Sequence, residues 1–144
     1  MKINQLVALI FVLLMAGSSV GALIMNILKP SNEQVQIPKE KILNYKLSEQ
    51  QRKYLLSQYF TLVEYSYPSV CFNCTNQMKK LEQLTQDSDN QIFLQEIPSD
   101  NVTQIVVTIA SLRGQETLYD PTEQEIQDKL CELLLTRPLF CVQI

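Results

Sequence analysis

Four cysteines carry the reactive side chains of this chain, and two of them, Cys71 and Cys74, form a C-x-x-C with Phe72 and Asn73 between them. That spacing is close to one helical turn, so a helix starting here brings the two sulfurs within bonding reach. Upstream, residues 60–67 are rich in β-branched and aromatic side chains and read as a strand. Downstream, residues 75–84 carry apolar positions at helical spacing. A strand that enters C-x-x-C and leaves as a helix sets the first thiol at a helix N-terminus. Unpaired N–H groups and the positive end of the macrodipole favour the thiolate there. Cys71 is then the attacking thiol and Cys74 the resolving one in thiol–disulfide exchange. No Lys, Arg or His adjoins the pair, so the helix terminus alone acidifies the thiol and the depression is modest.

The elements that must position this pair follow in order. Strands are expected over 91–97, alternating in character, and 104–110, nearly continuous and so central and covered on both faces. A turn at 112–115, a strand at 116–119 and a helix over 122–135 complete the run. Ile126, Leu130, Leu133 and Leu134 form the buried face of that helix. From Phe60 to the end, over a little more than half of the chain, this order resembles a thioredoxin-fold domain. The resemblance implies an α/β fold, a thioredoxin-like three-layer sandwich around a central mixed sheet, and disulfide exchange at Cys71 and Cys74 with no cofactor. It also offers Glu64 as a partly buried carboxylate that takes the proton of the resolving thiol. Tyr65, Tyr67 and Phe72 are candidates for an apolar docking rim around Cys71. Two departures from the family stand in the sequence. Thioredoxins carry a cis-proline at the start of the strand facing the cysteines, whereas Asn101-Val102-Thr103-Gln104 contains no proline. The helix joining the two middle strands has shrunk to 98–103, and a parallel pairing of those strands needs a dozen or so connecting residues.

The remainder of the chain sets where such a domain would work. Its 144 residues hold one domain of about 100 plus an accessory segment. A net charge of −3 without basic runs gives no footprint for nucleic acid, and the absence of histidine excludes Ser-His-Asp and Cys-His catalysis. Residues 6–28 hold no charge, long enough as a helix to cross a hydrocarbon core of about 30 Å. Residues 1–29 are therefore expected to be a single transmembrane anchor with its N-terminus inside. The competing reading is a secretory signal peptide cleaved near Val20-Gly21-Ala22, which would release the protein. Residues 30–44, with Pro30 and Pro38, read as a tether with a short strand at 35–37, and residues 45–144 as the domain. Ser48 and Gln51 form a capping box that opens a helix through Tyr59, with Tyr54, Leu55 and Tyr59 on its apolar stripe.

Cys131 on the last helix and Cys141 in the tail are ten residues apart, and Pro138 lets the tail fold back, so a structural disulfide is expected. This ending, a helix cysteine and then Pro138-Leu139-Phe140-Cys141, resembles that of membrane-anchored thioredoxin-like proteins of archaea. An even cysteine count fits an oxidising, extracytoplasmic compartment. Asn73-Cys74-Thr75 and Asn101-Val102-Thr103 are N-glycosylation sequons. The expected partners are exported protein thiols and disulfides, with a membrane redox protein as a further partner. Two other readings stay open: a non-catalytic binding or assembly module whose disulfides are both structural, and a zinc site built from all four cysteines. No metal is expected on the first two readings.

Overall fold

The strand that leads to Cys71 is the centre of the sheet. This computed structural model describes residues 35–71 and 74–142. In it β2 (Thr61–Pro68) pairs in parallel with β3 (Ile92–Ser99) on one side and antiparallel with β4 (Val106–Ser111) on the other. Beyond these lie β1 (Ile42–Leu43), parallel to β3, and β5 (Gly114–Tyr119), antiparallel to β4, giving the order β1-β3-β2-β4-β5. The helices are α1 (Glu49–Ser57), α2 (Cys74–Gln86) and α3 (Glu123–Leu133), with a 3-10 turn at Leu139–Cys141. The expected anchor segment lies outside the described residues. Among the described residues no helix is long and apolar enough to cross a membrane.

Period-two alternation divides the sheet between two cores. Val63, Tyr65, Ile92, Leu94, Val107 and Ile109 point to one face and pack with Leu81 and Leu84 of α2 and Ile126, Leu130 and Leu133 of α3. Leu43, Leu62, Phe93 and Ala110 point to the other and pack with Leu47 and with Leu55 of α1. Helices thus lie on both faces of a mixed sheet, an arrangement compatible with a thioredoxin-like fold.

The short link after β3 is resolved by strand order. β3 and β4 do not pair with each other; β2 lies between them, and β4 runs antiparallel to β3. The chain therefore only crosses the end of β2, which residues 100–105 span without a helix. With no helix there, the α1 side of the β4–β5 ribbon stays open. Thr117 and Tyr119 are exposed and Thr108 half-buried, its hydroxyl 3.2 Å from that of Thr117. β4 is thus covered on the α3 face but not along its whole length on the other, contrary to the expectation from its apolar run.

Local chemistry explains most element boundaries. Ser48 accepts from the Gln51 N–H while the Gln51 side chain accepts from the Ser48 N–H, as the sequence indicates. α1 ends sooner than expected, in a Schellman motif: Phe60 N–H donates to the Leu55 carbonyl and Tyr59 N–H to that of Leu56. Tyr59 takes φ 69° to do so. Its ring is exposed, as is that of Tyr54, which leaves Leu55 as the buried anchor of α1. Thr122 and Glu125 form a second capping box at α3, and the Thr122 N–H holds the Glu125 carboxyl below its usual range. Residues 35–37 form no strand. One edge strand is β1 instead, inside the stretch read as tether, and it belongs to a compact unit that begins at Val35.

Candidate redox site

β2 delivers the dithiol to the end of the sheet. After Pro68 the chain passes through Ser69 and Val70, the latter 78% exposed, and reaches a half-buried Cys71. Cys74 is the first residue of α2 and is only 2% exposed. The two are joined as a disulfide with their α-carbons 5.6 Å apart. One sulfur-bearing residue thus lies nearer solvent and the other inside, the asymmetry that an attacking and a resolving thiol require. No acidic residue occupies the first turn of α2, so nothing there opposes the helix dipole. Phe72 and Asn73 lie outside the described residues, and Phe72 as a rim residue lies outside them too.

Polar groups converge beneath this turn on the α2 face. Tyr65 is fully buried, and its hydroxyl donates to Gln77 Oε1 at 2.9 Å. Gln77 Nε2 in turn donates to the Pro121 carbonyl at 2.7 Å, which ties the first turn of α2 to the approach of α3. Burial first, then the neighbouring Tyr67 and Glu96, push the Tyr65 phenol up to about 12, so it remains a donor. The half-buried Tyr67 ring lies 5.4 Å from that of Tyr65 and packs against the α2-side core.

The two carboxylates near the site fall on opposite faces. Glu64 points to the α1 side, where Lys46 Nζ at 2.7 Å and Arg52 Nη1 at 3.2 Å hold it. The sheet separates it from the helix that begins at Cys74, so geometry offers no support for Glu64 as proton acceptor. Glu96 pairs with Tyr65 across β2 and β3 and faces α2. Burial, and after it the nearby Glu82 carboxylate, raise the Glu96 carboxyl. The alternation of Ile92, Leu94 and Glu96 carries this signal in the sequence, but only the packing of α2 shows which face it reaches.

The second cysteine pair is remote from the first. α3 starts beside Tyr119, which pairs with Val106 as Val106 pairs with Ser66, near the Cys71 end of the sheet. It runs to the opposite end, where Arg113 of the β4–β5 turn donates to the carbonyls of Glu132 and Leu135. There Cys131 and Cys141 form a disulfide, α-carbons 5.5 Å apart, and Gln127 Nε2 donates to the Phe140 carbonyl at 3.1 Å. The four cysteines form two separate bridges, so they do not converge on one metal. Among the described residues no cluster of three or more Cys, Asp or Glu is placed to hold a metal ion.

No protein-family model matches the chain, and a search of curated proteins finds no match. The two disulfides and the α/β sheet are compatible with a redox-related, thioredoxin-like role.

Proposed function

We propose that this protein is an extracytoplasmic thiol–disulfide oxidoreductase, tethered to the membrane by residues 6–28 and acting on exported proteins. The observation that carries the reading is the placement of Cys71 and Cys74. Their disulfide closes the junction of the central strand and α2, with Cys71 nearer solvent and Cys74 buried. In the reducing direction the Cys71 thiolate attacks a substrate disulfide and the substrate's other sulfur leaves as a thiolate. Cys74 then attacks Cys71 in the mixed disulfide, which frees the reduced substrate and closes Cys71–Cys74. Two electrons pass from the dithiol to the substrate; oxidation is the same sequence reversed. The two bridges, in a chain with an apolar N-terminal stretch, support the oxidising compartment.

One observation favours the binding-module reading. Residues 100–105, which cross the end of β2, contain no proline. The loop that serves substrate docking in the resembled family is therefore built differently. A trapping experiment separates the two. The Cys74→Ser variant should accumulate disulfide-linked adducts through Cys71 with exported proteins, by roughly tenfold or more over the natural chain, because the resolving step is gone. Cys71→Ser should trap nothing. Equal trapping by the two variants, or none by either folded variant, contradicts the exchange reading.

A further inference from the structure

The proposed exchange reaction leaves the sequon at Asn101 without a role, and the structure sets its two sequons apart. In Asn73-Cys74-Thr75 the middle residue is 2% exposed and bound to Cys71. A glycosyltransferase must draw the whole tripeptide into its active site, which that anchored residue prevents. In Asn101-Val102-Thr103 the outer two residues are exposed. The tripeptide also lies in residues 100–105, where no strand or helix holds the backbone. A hydrogen bond from the Asn101 N–H to Ser99 Oγ at 3.2 Å ties its start to the end of β3, and releasing it breaks no sheet pairing.

We propose that Asn101 is an N-glycosylation site. The inference rests on the extracytoplasmic location proposed above. The co-substrate is an oligosaccharide carried on a polyprenyl phosphate or pyrophosphate lipid. Asn101 Nδ2 attacks the anomeric carbon, a C–N bond forms, and the C–O bond to the lipid phosphate breaks. The lipid phosphate leaves, the carboxamide loses one proton, and no electrons are transferred. Thr103 supplies the hydroxyl by which the transferase recognises the sequon. Position gives the modification a consequence. Asn101 lies two residues past Ser99 and Cys71 three past Pro68, and Ser99 and Pro68 are paired at the ends of β3 and β2. A glycan on Asn101 stands at the mouth of the exchange site.

The test uses the full chain, produced in a host that glycosylates exported proteins and read by intact-mass spectrometry and peptide mapping before and after an amide-cleaving glycosidase. The expected result is a glycan mass on the Asn101 peptide, lost in Asn101→Gln and Thr103→Ala and kept in Thr103→Ser. Lys46→Thr provides the control, since it completes a sequon at Asn44, which like Tyr45 and Lys46 is exposed. A glycan at Asn44 with Asn101 bare shows that the domain meets the transferase and overturns the Asn101 site alone. Bare asparagines at both positions remove the extracytoplasmic location, and the Asn101 site with it.

Discussion

Burial and the neighbouring Glu82 push the Glu96 carboxyl above its ordinary range, and its Oε1 is buried with no hydrogen-bond partner among the described residues. A raised folded-state value means that the folded chain holds this proton more tightly than the unfolded chain does. The stability tied to Glu96 is therefore complete below the ordinary carboxylate value and declines as pH rises through the raised one. Glu96→Gln keeps the shape and removes the titration. Urea unfolding between about pH 4 and pH 8 should show the natural chain losing stability as pH rises, a loss that the variant does not show. Equal slopes for the two proteins would place the proton elsewhere. Glu64 gives the opposite lesson at the same scale. Its position in a strand beside C-x-x-C suggests proton transfer, yet Lys46 and Arg52 occupy it on the far side of the sheet.

At the scale of elements, the turn from α1 into β2 carries a local conflict. The Schellman geometry demands a left-handed residue, and Tyr59 fills that place with φ 69° although its ring is 67% exposed. A side chain in this conformation costs about 1 kcal/mol that glycine avoids. Tyr59→Gly should therefore raise the urea midpoint by the equivalent of about 0.5–1 kcal/mol, in spite of the greater entropy of an unfolded glycine. A lower midpoint would show that the Tyr59 ring holds the turn. Elements whose signals are local were legible in the sequence. The Ser48–Gln51 box, the strand into Cys71 and the helix out of Cys74 each rest on neighbouring residues, and each is present. β1 was not legible, because two residues carry no period and their strand exists only through pairing with Leu94 and Gln95. The link after β3 was misleading for the same reason. Its six residues are too few for a parallel crossover, and only the insertion of β2 between β3 and β4 makes that crossover unnecessary.

Across the whole molecule the two disulfides lie toward opposite ends of the sheet. Cys131–Cys141 pins the tail to α3 at the end of the sheet remote from Cys71, where Phe140 and Cys141 close the α2-side core. Closing a loop of about ten residues stabilises by roughly 2–3 kcal/mol in the chain-entropy picture. The double variant Cys131→Ser, Cys141→Ser should lose about that much in urea unfolding and still show the natural reduction potential at Cys71–Cys74. A displaced potential would mean that the pairs exchange with one another. The central claim is that the bridge at the head of α2 opens and closes in use. Its most direct test is the reduction potential of Cys71–Cys74 in glutathione buffers, with mass spectrometry assigning which pair has opened. The account predicts a value between about −270 and −120 mV with Cys131–Cys141 still closed. A Cys71–Cys74 bridge that stays closed until below about −300 mV is a structural staple and contradicts the account.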